Sequence, residues 1–403
     1  MKTSFAHVLF FAVGIYAGRA GDLPEPKFRP VTIDDKIGIG YGLAIADVDG
    51  DGKDDILLVD KQQIVWYKNP TWEKFVIAEN LTRRDNVCIA AGNIGEGGKC
   101  EIAVGADWDP SDTENSGAVF YLARPADPTQ RWEPVRLPAE VTTHRMYWYF
   151  DSGRKGWDLV VIPLHGKGNK NGAGAGVRIL AYEKPDDVRA PWRTKVISDG
   201  MHKTHGGDIV STADNIGDGF LIAGAEGIHL FRPAWDKAEG LLWREANPGS
   251  GGASLGPEGA GDIRHGKLGE KPLIAAVEPM HGNMLAAYVG SPVEDQRSWQ
   301  RHVLTDKLVE GHAVQCGDFL KVGSDQIVVG WRGNPAHLES RGISLWTPLD
   351  ADGSRWRESV IDGDMGCEAL VAADLNHDGR IDLIAAGRST KNVKIYFNEA
   401  PGK

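Results

Sequence analysis

Short apolar runs recur in pairs along the chain, and a loop of glycine and polar residues splits each pair. The clearest pairs are "GLAIADVDGDGKDDILLVD" at 42–60 and "EALVAADLNHDGRIDLIAAG" at 368–387. Five weaker versions lie between them: "NVCIAAGNIGEGGKCEIAVGAD", "YWYFDSGRKGWDLVVIPLHG", "DIVSTADNIGDGFLIAGAEG", "IRHGKLGEKPLIAAVEPMHG" and "HAVQCGDFLKVGSDQIVVGWRG". Short apolar runs bounded by turn formers read as buried strands, so each pair predicts a hairpin. In most units a third run follows and ends in an aromatic, as in "IVWYKNP", "RILAYEKP" and "ISLWTP". A fourth opens with Trp72, Trp132, Trp192, Trp243, Trp299 or Trp356. Four short strands repeated every 40–60 residues or so are the pattern of propeller blades.

The two ends of the chain fit each other. The last unit stops after its third strand, at "VKIYFNEAPGK", and "KFRPVTIDDKIG" near the start resembles the fourth strands. If Phe28 to Ile33 completes the last blade, the ring closes and an exposed edge disappears. The predicted fold is all-β: a seven-bladed β-propeller over residues 21–403, closed by the N-terminal strand.

Composition and charge narrow the setting. The first 20 residues, "MKTSFAHVLFFAVGIYAGRA", have a basic start, an apolar stretch and a small residue at the end. They read as a secretory signal peptide, so a secreted or periplasmic protein without membrane insertion is expected. The net charge of -11 argues against nucleic acid as a partner. A monomer is expected. The four cysteines, Cys88, Cys100, Cys316 and Cys367, match no zinc ribbon. A Cys88–Cys100 bridge and buried free thiols both stay open.

The two best loops share a spacing. Asp47, Asp49, Asp51 and Asp55 take the same offsets as Asp374, Asn376, Asp378 and Asp382. Alternate oxygen ligands converge when the backbone curls, which Gly52 and Gly379 permit, and calcium wants six to eight such oxygens. No glutamate follows at the twelfth position, and strands flank the loops, which excludes an EF-hand. The units resemble FG-GAP/VCBS repeats, the family of integrin-like propellers. That resemblance implies that the acidic loops staple hairpins on one face and that ligands meet the other.

The other face is built where first strands start and second strands end. First strands start with Tyr41, Asn86, His144-Arg145, His205 with Asp208, Asp262, Glu310 with His312, and Glu368. Second strands end with Asp107-Trp108, His165, Glu226, Glu278 with His281, Trp331-Arg332, and Arg388. Strand geometry points them at one axial mouth. The chain has no G-x-S-x-G and no H-E-x-x-H. Histidine and arginine remain, a set suited to removing a proton beside a carbonyl, followed by loss of a β-oxygen. Arginine or a divalent cation can offset the negative charge that develops.

A second resemblance sharpens this. "EGHAVQCGDFLKVGSDQIVVGWRGNP" and "MGCEALVAADLNHDGRIDLIAAGRSTKNVKIYFNE" look like the propeller part of aldos-2-ulose dehydratases, which eliminate water from keto-sugars and use bound metal. Those enzymes add cupin-like domains, whereas this chain ends at the propeller. It is therefore expected either to keep a binding surface alone or to hold its catalytic site wholly in the mouth.

Two functions follow. The first is a secreted lyase or dehydratase that eliminates water or an alkoxide from a keto-sugar or oxidised sugar. Its expected catalytic residues are His144, His165, Arg332 and Tyr147. Its expected substrate-binding residues are Arg145, Trp108, Trp331, Glu368, Arg388 and Tyr41. Calcium is expected at the acidic loops, and zinc or another divalent metal at His205, His281 and His312. The second is a non-catalytic module of integrin-like type that binds glycan or protein. A polysaccharide lyase shares the chemistry of the first but needs a long basic groove, which the acidic balance disfavours.

Overall fold

The computed structural model describes residues 23–211, 216, 218–236, 240–246, 255–256, 259–291 and 298–399. The segment read as a signal peptide lies outside the described residues. Seven four-stranded antiparallel sheets form the blades of a β-propeller. Blade 1 runs Gly42–Ala46, Asp55–Val59, Gln63–Lys68 and Glu73–Glu79, and the next five blades repeat this order along the chain. Blade 7 takes Cys367–Ala373, Asp382–Gly387 and Val393–Asn398 from the end of the chain and Phe28–Asp34 from its start.

The second strands explain the solid apolar runs. Ile56 and Leu58 face the gap between blades 7 and 1, while Leu57 and Val59 face the gap between blades 1 and 2. A strand buried on both faces needs no polar alternation. Among the described residues, seven apolar clusters occur, one between each pair of neighbouring blades. Trp72, Trp132, Trp192, Trp299 and Trp356, at the fourth strands, join them. Trp132 and Trp192 are buried in two of these clusters, and their indole N–H groups donate to the Pro128 and Val188 carbonyls. All four cysteines are free thiols.

The closing strand pairs from Phe28↔Asn398 to Asp34↔Val393. Asp34 then reaches into blade 1, accepting from the Tyr67 hydroxyl at 2.7 Å and from Lys74 at 2.8 Å. Deleting residues up to Asp34 should expose the Val393–Asn398 edge. The melting temperature should fall by roughly 10 °C or more, with oligomers visible by size-exclusion chromatography. A shortened chain that melts like the full one and stays monomeric would contradict the closure.

Candidate functional site

In four blades the pairing of first and second strands skips one residue at its start. The register passes from Thr143 to Arg145, from Thr204 to Gly206, from Gly311 to Ala313 and from Cys367 to Ala369. The skipped residues are His144, His205, His312 and Glu368. A bulge takes one residue out of the ladder and re-aims its side chain. All four are buried, and all four line one cavity of about 260 Å³. In blade 5 the Gly261 amide and the Asp262 carbonyl both bond Val277, which puts Asp262 in the equivalent place.

This cavity is the mouth. His281 joins it from the turn after the second strand of blade 5, with φ of 55°, a conformation uncommon outside glycine. His205 Nε2 and His281 Nε2 lie 2.8 Å apart. The ring centroids are separated by 4.6 Å for His205–His281, 5.0 Å for His281–His312 and 5.4 Å for His205–His312. One nitrogen from each of the three lies within 4.8 Å of the other two. The three histidines come from blades 4, 5 and 6.

Hydrogen bonds fix two of the tautomers. His312 Nδ1 donates to the Glu368 carbonyl, which leaves its Nε2 unprotonated in the neutral ring. His144 Nδ1 donates to the His205 carbonyl at 3.1 Å, and its Nε2 accepts from Arg145 Nη1 at 3.2 Å. The His144 ring stacks on Trp108 at 4.9 Å. Burial, with Arg145 beside it, holds His144 well below the usual histidine range. Burial and the surrounding imidazoles do the same for His205, and burial with Arg332 for His312. Burial and Arg332 bring His281 to about 3. Neutral imidazole is the metal-ligand form.

The donor set fits a divalent ion that takes nitrogen. Zinc–nitrogen bonds of about 2.0–2.1 Å put neighbouring ligands of a tetrahedral ion roughly 3.4 Å apart. His205 and His281 nitrogens stand 2.8 Å apart, and all three imidazoles offer a nitrogen within 4.8 Å of the others, a cluster small enough to close on one ion. His205 Nδ1 is buried without a protein partner among the described residues.

Charged groups complete the wall. Glu368 accepts from Arg332 Nη1 at 3.2 Å and Arg388 Nη1 at 3.1 Å. Arg332 also donates to Glu310 at 2.7 Å. Arg388 lies over the Tyr41 ring at 5.7 Å. The Tyr41 hydroxyl donates to Asp85 at 3.0 Å, a partner that sequence reasoning missed.

A narrower chamber of about 100 Å³ adjoins the mouth and shares Tyr41, Val87, Arg145, His312 and Glu368 with it. Tyr147, Asp262 and Arg264 line this chamber and not the mouth. The Tyr147 hydroxyl donates to the Gly207 carbonyl at 2.7 Å, and burial pushes its pKa up to about 12. Sequence reasoning overlooked Arg264, which sits two residues beyond the blade 5 start.

Besides Tyr147, several expected residues lie elsewhere. Asn86, Asp107, Glu226 and Glu278 do not line the mouth. Glu226 accepts from His202 instead, and Glu278 from Tyr288 and Arg301. His165 and Trp331 also miss it. His165 is not on the mouth wall; its neighbour Leu164 is. The His165 amide and carbonyl both bond the Thr142 hydroxyl, and its backbone pairs with Lys203. Trp331 packs into the cluster between blades 5 and 6, while the adjacent Arg332 faces the mouth.

The acidic loops sit at the far ends of the same inner strands. The blade 7 strand has seven residues, which places its loop about 20 Å from the mouth. Asp55 accepts amides from Val48 at 2.9 Å and Asn69 at 2.8 Å. Asp382 accepts from Leu375 at 3.1 Å and Asn398 at 2.8 Å. Burial raises their pKa values to about 7 and about 6. Asp47 and Asp374 accept amides from within their own loops, including Gly52 and Gly379. In blade 1, carboxylate oxygens of Asp47, Asp49 and Asp55 lie within 4.8 Å of one another, as a cation site requires. There, however, the Lys68 ammonium bonds Asp49 and stands 3.5 Å from Asp51. Tyr67 and Tyr396 occupy matching places opposite Ile56 and Leu383, so Phe397 stands where Lys68 does.

Comparison with known proteins gives three findings. A family model described as the aldos-2-ulose dehydratase β-propeller domain matches residues 116–291. That stretch carries His144, His205 and His281 and precedes the C-terminal units on which the sequence resemblance rested. The β-propeller domain of Cps50 (Swd1) from Myceliophteria thermophila superposes with a TM-score of 0.55 at 10% identity, covering 92% of this chain and 100% of its own. At that identity the likeness is one of fold. No curated protein matches the chain.

The depressed histidines have a consequence for stability. Unfolded imidazoles take up a proton near 6.5, whereas His281 in the fold waits until about 3. Their contribution is complete above about 6.5 and is lost as the pH falls from there toward the folded values, at up to about 1.4 kcal/mol per pH unit for each ring. In chelator, the histidines should lower the melting temperature of the wild type between pH 7 and pH 4.5. Asp55 and Asp382 pull the opposite way, because their raised carboxyls take up protons in the fold first. A His205→Gln/His312→Gln variant should show a shallower drop. Parallel pH profiles would contradict the neutral cluster.

Proposed function

We propose that this propeller is a carbon–oxygen lyase that removes water or an alkoxide from a keto-sugar or oxidised sugar in the mouth. The observation that carries this reading is the convergence of three neutral imidazoles, His205, His281 and His312, beside the Arg145 guanidinium. The match to the aldos-2-ulose dehydratase propeller supports the substrate class. We read the units as FG-GAP/VCBS repeats and the protein as exported.

A divalent ion such as zinc, held by His205, His281 and His312, would supply a Lewis acid for a carbonyl or carboxylate oxygen. The chain's own groups handle the protons. His144 takes the proton next to the carbonyl at Nε2, its tautomer being set by the Nδ1 bond to the His205 carbonyl. Arg145 gives up that nitrogen to the substrate and keeps its bond to the His144 carbonyl at 3.1 Å. The electron pair of the C–H bond becomes a double bond as the C–O bond breaks. Tyr41, on the same wall, protonates the leaving oxygen. Glu368 holds Arg332 and Arg388 in place as positioning residues. A mouth of about 260 Å³ falls at the low end of ligand pockets, which favours a single sugar unit over a polymer.

For calcium we propose the blade 7 loop. Among the described residues Asp374 and Asp378 form no ion pair, whereas in blade 1 the Lys68 ammonium already occupies Asp49 and Asp51. Calcium should raise the melting temperature of chelated protein, and Asp374→Ala should abolish the rise. A rise that survives Asp374→Ala and is lost in Asp47→Ala would move the site to blade 1.

The lyase reading is tested with metal-loaded protein, keto-sugars and sugar acids, following ultraviolet absorbance of the unsaturated product. His281→Ala should lose stoichiometric zinc in native mass spectrometry and roughly 100-fold or more of the elimination rate. Its melting temperature in chelator should stay close to wild type. Unchanged zinc uptake, or no product from any sugar tested, would overturn the reading.

A further inference from the structure

We propose that the ligand of the mouth is a carboxylate-bearing monosaccharide whose carboxylate enters the narrower chamber and is held by Arg145 and Arg264. This rests on the lyase reading of the same site and narrows its substrate.

Among the described residues, Arg145 is a cation without an anion. Its Nη1 donates to His144 Nε2 at 3.2 Å and to the His144 carbonyl at 3.1 Å. Its Nε and Nη2 have no protein partner among the described residues, and it forms no ion pair there. The carboxylates nearby are engaged. Glu368 is shared between Arg332 and Arg388. Asp262 turns Oδ1 to Arg264 at 3.2 Å and accepts the Val314 amide on Oδ2 at 2.9 Å. Asp208 is held by the His265 ring at 2.6 Å and its amide at 2.8 Å. The neutral imidazoles add no charge of either sign. An uncompensated guanidinium in a narrow cavity is costly unless a ligand supplies the counter-charge.

The free edge also has a shape. With Nη1 tethered, Nε and Nη2 present two parallel N–H groups, the fork that matches a planar carboxylate. Arg264 repeats the arrangement two blades away. Its Nη1 bonds the Ile263 carbonyl at 2.6 Å, Asp262 at 3.2 Å and the Gly207 carbonyl at 3.3 Å, and its Nε and Nη2 have no protein partner among the described residues. Both arginines line the chamber of about 100 Å³, and Arg145 alone of the two also lines the mouth of about 260 Å³. The smaller space suits a carboxylate and the larger one a sugar ring.

The step balances without a co-reactant. His144 takes the proton α to the carboxylate, and the pair forms the Cα–Cβ double bond. The β-hydroxyl leaves as water with a proton from Tyr41. The enol then tautomerises to a 2-oxo-3-deoxy acid.

Calorimetric titration of zinc-loaded protein with gluconate and glucuronate, against neutral glucose and a neutral keto-sugar, tests this. The acids should bind roughly 10- to 100-fold more tightly than the neutral sugars. Arg145→Gln should erase the preference and Arg145→Lys keep part of it, with melting curves confirming the fold. Arg264→Gln should weaken acid binding in an otherwise intact site. A neutral sugar bound as tightly as the acids, an acid preference unchanged in Arg145→Gln, or a sugar phosphate bound more tightly than either acid would overturn the proposal. Turnover of the neutral keto-sugar in the same samples would leave the lyase reading standing. Acid binding that depends on Arg145, with no elimination from any sugar, would support the carboxylate site and remove the lyase reading.

Discussion

Each inner strand can be zipped to its neighbour only up to the point where the ladder breaks, and in four blades it breaks at the residue that faces the axis. His144, His205, His312 and Glu368 occupy those breaks. In a regular ladder, successive side chains alternate between the two interblade gaps, and none is directed along the axis. The bulge frees one residue per blade from that alternation. Imidazoles from separate blades can then meet because the ring brings all the inner strands to one axis. The depressed basicity of the cluster, its closeness to Arg145 and its buried nitrogens all follow from this.

Rigid surroundings hold the breaks in place. Apolar clusters fill the gaps between blades, and the first and last parts of the chain share blade 7. In blades 1, 6 and 7 the far end of the inner strand is pinned by side-chain acceptors. Asp55 and Asp382 each collect two backbone amides across a hairpin. Gln326, at the same offset in blade 6, accepts the Leu320 amide without a charge. The acidic residues at these positions therefore serve the backbone first. A strand fixed at one end and bulged at the other presents a fixed side chain, as a preorganised site needs.

Much of this was legible in the chain. Runs of apolar residues with a Gly/Asp break marked the hairpins, and the missing fourth strand of the last unit pointed to closure by Phe28–Asp34. Aligning first-strand starts with second-strand ends also grouped His205, His281 and His312. Two of the residues that fell elsewhere did so by one position. His165 follows the mouth residue Leu164, and Trp331 precedes the mouth residue Arg332. A shift of one residue sends a strand side chain to the opposite face, and spacing alone does not reveal where a bulge resets that count. Arg264 escaped because only first-strand starts and second-strand ends were considered, whereas the chamber continues inward along the strand.

The electrostatic character of the mouth now has a single source. Glu368 and Glu310 together offset Arg332 and Arg388, the histidines stay uncharged, and Arg145 is left, among the described residues, with its charge and a free edge. Neutral nitrogens and one open cation suit a metal and an anionic or electron-rich sugar together. The central claim is that three bulge- and turn-borne imidazoles share one point on the axis. Anomalous diffraction from a zinc-soaked crystal tests it most directly. The account predicts one peak about 2.0–2.1 Å from a nitrogen of His205, His281 and His312. A zinc peak bound elsewhere while these three rings stay bonded only to one another, or rings that point away from a common centre, would contradict it.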